Sequence, residues 1–384
     1  MTMAQKILLA FDKFKGSLTS LEVAEAFSLG LRDVVGNVEI EVVPVADGGD
    51  GVLSTLVEAL GGEYHTKRVR GPRGELIEAR WGSLERGTVA VVEMAEAAGL
   101  RLLDGSKRNP LRTSTYGVGE LILEALERGC SRMILGLGGS ATNDGGMGAL
   151  SALGVRFYDV DGEELESSGE AMCRVAGVDI GGLDARLRGV DIVIASDVDN
   201  PLYGERGAAY IYAPQKGASD HEVELLDKGL RSYHEAVQRA VGVDYAQRAG
   251  AGAAGGLGYG LMALLGARME SGVELVFEMV DFERRAEGSA LIVTGEGRLD
   301  RQTLMGKAPS GVLSVGRRLS IPVVAVGGGV EDREALIEGG FDAVYAAKPE
   351  DMPLSEAMKR ETAQQNLRRA AHRVARHYLS VVSL

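Results

Sequence analysis

The sequence has few of the residues on which several common kinds of site depend. Its 384 residues include two cysteines, Cys130 and Cys173, and five histidines. A secreted protein of this size more often carries a disulfide framework, so the cysteine count predicts a reducing compartment, the cytoplasm. The histidines show no metal-ligand spacing, which gives little support to a zinc site or a serine–histidine–aspartate triad.

Positive charge and long apolar runs are scarce as well. The formal net charge of −13 argues against a nucleic-acid partner, because such a surface needs a basic stripe. The apolar run at residues 7–10 is too short for a signal peptide. Residues 249–267 are uncharged and nearly long enough to cross a bilayer, but their glycines and alanines supply little transfer energy. We therefore predict a soluble protein without a nucleic-acid or membrane partner.

Glycine and apolar residues are abundant instead. The sequence has 54 glycines and is 45% hydrophobic, so it can bury a substantial core. Its length exceeds what one core usually serves, which favours two domains. The glycines lie within apolar patterns and not in low-complexity runs, which is typical of a globular protein with many functional turns.

Strands and helices alternate at both ends of the chain. Five strand-like runs, two near the N-terminus and three near the C-terminus, predict one doubly wound parallel sheet built from residues 1–62 plus 289–384. Residues 63–288 begin instead with hairpin strands around a Gly-Pro-Arg-Gly turn. We predict that they form a second α/β domain inserted into the first, with an active site in the cleft between the two.

Unusual polar residues follow five of the predicted strands. Ligands bind at the carboxyl ends of the strands in parallel sheets, so these loops are the candidate site, although each alone has an ordinary explanation as a turn or a solvated surface. Their chemistry-bearing residues are Lys13, Lys15 and Ser17; Asp47 and Asp50; Asp197, Asp199 and Asn200; and Glu296, Arg298, Asp300, Thr303 and Lys307.

The fifth of these loops, GLGGSATNDGG at residues 136–146, is almost without side chains. Glycine allows backbone N–H groups to approach phosphate oxygens, and a following helix N-terminus would add positive potential. A tight structural turn is the simpler explanation. The residues predicted to cradle a nucleotide are Gly138, Gly139, Ser140, Ala141, Thr142 and Asn143.

The same loop also fits a dinucleotide fingerprint. The pattern Gly136-x-Gly138-x-x-Ala141 is followed about 20 residues on by Asp159, so a dehydrogenase is an alternative. Asp144, placed at the mouth of the loop, would repel a pyrophosphate unless a cation lay between them. A magnesium-bound nucleoside triphosphate resolves that conflict, which favours phosphoryl transfer with Asp144 and Asp50 as metal ligands.

Six segments then coincide with one family. The chain resembles the bacterial glycerate kinases of the two-domain type, in order and over nearly its whole length. Two positions depart from the family pattern: Lys13, where serine is common, and the acid at Asp50, which is more often glutamate. The segments are FDKFKGSL, ADGGDG, GLGGSATNDGG, DVDNPLYGERGAAYIYAPQKGAS, GAAGGLG and GEGRLDRQTLMGKAPSGV.

The resemblance implies a flavodoxin-like domain with a second α/β domain, and a buried glycine-rich segment at residues 249–267. It also implies ATP- and Mg²⁺-dependent phosphorylation of glycerate, usually at the 2-hydroxyl, to 2-phosphoglycerate. A 3-phosphoglycerate product and a sensor of phosphorylated metabolites stay open as alternatives.

Residue roles follow as hypotheses from this resemblance. Asp197 is the candidate base, because it ends a buried strand beside a second acidic loop. Lys15, as a catalytic cation, and Arg298 are the candidates to bind the glycerate carboxylate. The remaining substrate-binding candidates are Lys13, Ser17, Asp47, Asp300 and Lys307.

Overall fold

The computed structural model describes residues 5–49 and 51–379, and the chain divides into two compact units. One unit consists of residues 1–47 with 273–384, and the other of residues 48–272. Both boundaries lie earlier in the chain than the sequence analysis placed them. The helix Val52–Leu60 packs on strands of the second unit, and Phe282–Ala286 packs on a helix of the first.

The first unit is built on a five-stranded parallel sheet. In space the second strand lies at one edge, followed by the first, third, fourth and fifth, which is the flavodoxin-like order. The prediction of one doubly wound sheet from the two ends of the chain is therefore confirmed. The strands, in chain order, are Gln5–Phe11, Val38–Val42, Leu291–Gly295, Val323–Gly327 and Ala343–Ala346.

Helices cover this sheet. Ile7, Leu9 and Phe11 form a core with the helices Ser20–Arg32 and Arg360–Tyr378. Successive strand residues point to opposite faces, and Leu8 and Ala10 are also buried, so both faces of the sheet are covered. Ser20–Arg32 begins with a capping box, in which the Thr19 and Glu22 side chains each accept a hydrogen bond from the other residue's backbone N–H. The other helices of this region are Gly272–Met279, Phe282–Ala286, Ala308–Leu319, Arg333–Glu338 and Leu354–Ala357.

The second unit is built on a six-stranded mixed sheet. Its strands lie in space in the same order as in the chain. The first three are antiparallel neighbours, as the predicted hairpin requires, and the remaining pairs are parallel. In chain order the strands are Glu63–Arg70, Leu76–Leu84, Val89–Glu93, Arg132–Gly136, Asp191–Ala195 and Arg268–Glu270.

The glycine-rich segment at residues 249–267 lies inside the second unit. It forms the helix Ala253–Leu265, whose Ala254, Gly255 and Gly256 have left-handed backbone. A Cβ on Gly255 would lie 2.1 Å from the Thr142 carbonyl oxygen, so only glycine permits this approach. In the described parts of the chain, no helix is both long and apolar enough to cross a membrane. The other helices are Val52–Leu60, Ala95–Ala98, Tyr116–Glu127, Met147–Ala152, Gly169–Met172, Ala208–Tyr212 and Asp220–Val241.

Candidate active site

One edge of the second unit's sheet collects two of the predicted loops. The parallel strands Val89–Glu93, Arg132–Gly136 and Asp191–Ala195 are neighbours, with Glu93 paired to Gly136 and Gly136 paired to Ala195. Their carboxyl ends therefore meet, and the glycine loop and Asp197 leave the sheet from adjacent strands. Glu93, which the sequence analysis did not single out, joins them as a buried carboxylate that accepts a hydrogen bond from the Gly51 N–H.

The glycine loop has an accessible half and a buried half. Gly138, Gly139 and Ser140 are partly or fully exposed, whereas residues 141–150 are buried. Within the described chain, the N–H groups of those first three residues donate to no backbone carbonyl. The predicted nucleotide cradle is thus split: its first three residues face outward, and Ala141, Thr142 and Asn143 lie behind them.

Asp144 lies inside the second unit and not at the mouth of the loop, where the sequence analysis placed it. The residue is 0% exposed. One carboxylate oxygen accepts from Thr115 N at 2.7 Å, Thr115 Oγ1 at 2.8 Å and Gly148 N at 3.2 Å, and the other from Gly146 N at 3.1 Å. Burial raises the pKa of the Asp144 carboxyl, and these hydrogen bonds oppose that rise.

The hydrogen bonds of Asp144 also involve the start of the helix that follows the glycine loop. Met147–Ala152 is short, and the first N–H groups around its start already donate to Asp144. The Asp144 carboxylate therefore offsets the positive potential expected at the N-terminus of that helix. A metal-ligand role for Asp144 stays a prediction, and it would require exchange of these hydrogen bonds.

Asp197 is exposed at the same sheet edge. Its Oδ1 accepts a hydrogen bond from Gly272 N at 3.1 Å. Further along this loop, the Asn200 side chain is fixed, because Tyr212 Oη donates to its Oδ1 at 2.6 Å. Asp199 pairs with Arg206 at 3.2 Å, but both side chains are largely exposed, so that ion pair contributes little.

The acid of the dinucleotide fingerprint lies in a different setting. Asp159 follows the strand Arg156–Tyr158, which pairs antiparallel with Gly177–Asp179 in a separate two-stranded sheet. Its Oδ1 accepts from Asp161 N and Glu163 N, each at 3.0 Å, as in an ordinary Asx turn. A dinucleotide fold needs this acid at the end of the next strand of the main sheet, so the geometry weighs against a dehydrogenase.

The first unit gathers carboxylates at the ends of its three neighbouring strands Val38–Val42, Gln5–Phe11 and Leu291–Gly295. These carboxylates belong to Asp47, Asp12 and Glu296. Burial raises the pKa of Asp12 to about 8, and the negative charge of Asp47 adds to the rise. Burial also raises the pKa of Glu296, opposed by hydrogen bonds from Thr303 Oγ1 at 2.8 Å and Lys307 Nζ at 3.1 Å. The sequence analysis singled out the adjacent Lys13 and Lys15 and not Asp12, although Asp12 directly follows the first strand.

The other predicted site residues of this unit lie close to these carboxylates in the sequence. Lys13 donates its backbone N–H to Asp12 Oδ1 at 2.7 Å, Lys15 is exposed, and Ser17 Oγ donates to the Met358 carbonyl at 2.9 Å. Arg298 is 64% exposed and pairs with Asp300 and Glu331. Asp300 also caps the turn Arg301–Leu304 through Gln302 N at 2.9 Å.

The described residues do not build a metal cage. Among them, no group of three or more histidine, cysteine, aspartate or glutamate side chains is arranged to hold a metal ion. Asp50, one of the two predicted metal ligands, lies outside the described residues. Magnesium usually keeps several waters and takes one or two carboxylates plus substrate phosphates, so this donor set fits an ion that is bound together with a triphosphate.

Comparison with known proteins decides the family. The sequence model of the glycerate kinase family matches residues 7–379. The chain belongs to the glycerate kinase family. A glycerate kinase of Bacillus subtilis strain 168 is 43% identical over 371 residues, 96% of this chain and 97% of that protein. A glycerate 2-kinase of Escherichia coli K12 is 42% identical, with the same two coverages.

A solved structure extends the likeness to three dimensions. The crystal structure of a protein described as glycerate kinase 2 from Salmonella typhimurium LT2 matches this family member with a TM-score of 0.87 and 39% identity. The match covers 97% of this chain and 98% of that one. The predicted family and the predicted class of fold, a flavodoxin-like domain with an inserted α/β domain, are therefore confirmed for this glycerate kinase family member.

Replacing Asp144 tests what holds the glycine loop in this glycerate kinase family member. We expect Asp144→Asn to lower the free energy of unfolding by about 3 kcal/mol, because an amide nitrogen would face an N–H donor in a buried site. Urea unfolding at pH 7 measures the change. Asp104→Asn is the control, since that side chain is 82% exposed. An Asp144→Asn protein with wild-type stability that loses only its magnesium response would instead favour the predicted metal role.

The raised pKa of Asp12 predicts a pH-dependent stability. The folded state holds the Asp12 proton up to about pH 8, whereas the unfolded state releases it near the ordinary aspartate pKa of 3.8, so the fold loses stability as the pH rises between these values. Asp12→Asn should therefore be more stable than the wild type at pH 9, by on the order of 5 kcal/mol, and equal to it near pH 4. Thermal unfolding at pH 5, 7 and 9 measures the difference.

Asp33→Asn in the same unit is the control of opposite sign. Hydrogen bonds from His372 and Arg368 lower the pKa of Asp33, so this carboxylate stabilises the fold above its unfolded-state pKa. The Asp33 variant should lose stability at pH 7, where the Asp12 variant has already begun to gain it. A stability difference between Asp12→Asn and wild type that does not grow with pH would contradict the buried, charge-repelled environment of Asp12.

Proposed function

We propose that this chain catalyses ATP-dependent phosphorylation of glycerate, with D-glycerate phosphorylated at the 2-hydroxyl to give 2-phosphoglycerate and ADP. The observation that carries the proposal is its similarity, over nearly their full lengths, to proteins described as glycerate kinase and glycerate 2-kinase. The enzyme is proposed to act in the cytoplasm on small-molecule substrates.

The glycine loop supports the nucleotide half of the proposal. Gly138, Gly139 and Ser140 present N–H groups at the carboxyl end of a parallel strand, where backbone donors suit phosphate oxygens. Ala141, Thr142 and Asn143 are buried behind this surface and stay predicted members of the nucleotide cradle. Phosphoryl transfer needs little covalent chemistry from the protein, so donors fixed in this way supply much of what the reaction requires.

Charged residues of the strand-end loops support the acceptor half. Lys15 and Arg298 are proposed to bind the glycerate carboxylate, with Lys13, Ser17, Asp47, Asp300 and Lys307 as the further substrate-binding candidates. Asp197 is proposed to accept the proton of the attacking hydroxyl, because it is an exposed carboxylate at the sheet edge that carries the glycine loop. An accessible base can reach a substrate proton, whereas the buried Asp144 cannot do so in this conformation.

Magnesium is proposed to enter with the triphosphate. When bound, it would neutralise charge on the phosphate oxygens. Asp50 and Asp144 stay the predicted ligands, and Glu93 is a further carboxylate at the same sheet edge. The protein's own contribution is to orient the phosphate chain and the acceptor toward each other.

The proposed reaction is tested with purified protein, ATP, Mg²⁺ and D-glycerate, coupled in one assay to pyruvate kinase and in another to enolase. We expect ADP formation together with direct conversion by enolase when no mutase is present. ADP without enolase conversion would point to 3-phosphoglycerate. No ADP from either enantiomer would overturn the proposal, with tight binding of a phosphorylated metabolite favouring a sensor and metal-free nicotinamide binding a dehydrogenase.

The base is tested by Asp197→Asn. We expect turnover to fall by about 10²- to 10⁴-fold while ATP affinity is kept, because only proton transfer is lost. Steady-state kinetics with separate ATP titrations measure both quantities. Asp199→Asn in the same loop is the matched control, since its largely exposed ion pair predicts little change. Near-normal turnover of the Asp197 variant would remove this residue from the role of base.

A further inference from the structure

The motif YAPQKGAS contains a lysine to which neither the loop analysis nor the proposed function gives a role. Lys216 ends the turn Pro214–Lys216 in the second unit and is 1% exposed, which is unusual for a residue that normally keeps its charge in water. Its Nζ donates to the carbonyl oxygen of Thr142 at 2.7 Å. The ammonium therefore lies directly behind the glycine loop.

Keeping a lysine at this position costs stability. An ammonium has three donors, and in the described part of the chain the Thr142 carbonyl is the one acceptor within hydrogen-bonding distance of Lys216. Burial lowers the pKa of Lys216 to about 7, opposed by the charge of Asp144. An apolar side chain of similar volume would avoid the cost of burying this charge, so the lysine is explained by the groups that its ammonium faces, Asp144 and the Thr142 carbonyl, and not by packing.

The hydrogen bond fixes a peptide group of the loop. In a trans peptide the carbonyl and the following N–H point in opposite directions, so holding the Thr142 carbonyl toward Lys216 turns the Asn143 N–H the other way. The local side chains do not do this: Thr142 Oγ1 and both polar atoms of the Asn143 amide are buried without a partner among the described residues. The backbone of Gly255 lies close to the same carbonyl, since a Cβ on Gly255 would lie 2.1 Å from its oxygen.

The charge of Lys216 also acts on the loop through space. Electrostatic interactions inside a protein are screened far less than those at its surface, so the protonated form of Lys216 adds positive potential near the partly or fully exposed residues Gly138, Gly139 and Ser140, and Asp144 offsets part of it. The nearby helix Met147–Ala152 does not supply this potential, because Asp144 already accepts from its first donors.

We propose that Lys216 is a positioning residue for the phosphate chain of the nucleotide: it anchors the Thr142 carbonyl and places a positive charge behind the glycine loop. The inference rests on the proposed kinase function, but it assigns a role to a residue that touches neither substrate. Lys216 acts on the nucleotide through the loop, and a cost in stability is the expected counterpart of that role.

Calorimetric titration of the full chain with tripolyphosphate, with ATP and with uncharged adenosine tests the inference. For Lys216→Met we expect the Kd of tripolyphosphate and of ATP to rise at least about tenfold, while the Kd of adenosine and the KM of glycerate change less than about twofold. Lys216→Met also removes the charge that faces the buried Asp144, so the comparison of the anionic ligands with adenosine decides the role, and the melting temperature alone does not. Lys228→Met, at an exposed position of the helix Asp220–Val241, is the control and should match the wild type.

Two results would overturn the inference while leaving the proposed function intact. One is wild-type affinity for tripolyphosphate in Lys216→Met. The other is a lower melting temperature together with equally weakened binding of tripolyphosphate, ATP and adenosine, which would indicate a purely structural role. If Lys216→Met does not fold, Lys216→Gln provides the same comparison. A wild-type protein that binds tripolyphosphate but never phosphorylates glycerate would sink the proposed function, and the tripolyphosphate comparison would still decide the role of Lys216.

Discussion

The conformation of the glycine loop depends on one buried carboxylate. Asp144 draws together Thr115, at the start of the helix Tyr116–Glu127, and Gly146 and Gly148, at the start of the helix Met147–Ala152. Four donors around one carboxylate offset much of its desolvation, but not the field of an uncompensated charge. The positive charge of Lys216 partly offsets the field of Asp144, because the two buried groups interact electrostatically. The loop's two faces therefore have different tasks: the inner face balances charge, and the outer face presents N–H groups.

The first unit shows the same conflict between stability and chemistry in another form. Parallel strands end side by side, so any carboxylate that follows each strand is brought close to the next, and here Asp12, Asp47 and Glu296 are brought together in this way. Repulsion and burial then raise the pKa of Asp12 to about 8. A sheet selected only for stability would place apolar or neutral residues at these ends. Carboxylates held against their electrostatic preference are typical of sites where a cation or a proton is handled.

Sequence patterns predicted the parallel sheet of the first unit, the hairpin of the second and the strand-end position of the glycine loop, because each depends on local periodicity and turn chemistry. They placed Asp144 at the surface, because an acid among glycines resembles a solvent-exposed turn. Its burial depends on Thr115 and on the close approach of Gly255, both distant in the chain. Lys216 escaped notice for the same reason, since its partner Thr142 is 74 residues away. Domain boundaries also depended on packing: Val52–Leu60 could join either unit by its own pattern.

An acidic protein that binds anionic substrates must create positive potential locally, and burial is an efficient way to do so. The net charge of −13 is spread over the whole chain, and at physiological ionic strength charges beyond about 8 Å are largely screened. An exposed lysine such as Lys15 loses much of its field to the same screening. Lys216 is shielded from solvent, so in its protonated form it keeps more of its field than an exposed lysine does, and the buried Asp144 offsets part of that field. A net negative charge is therefore compatible with the proposed binding of a polyphosphate, provided that cations near the loop lie where water does not reach them.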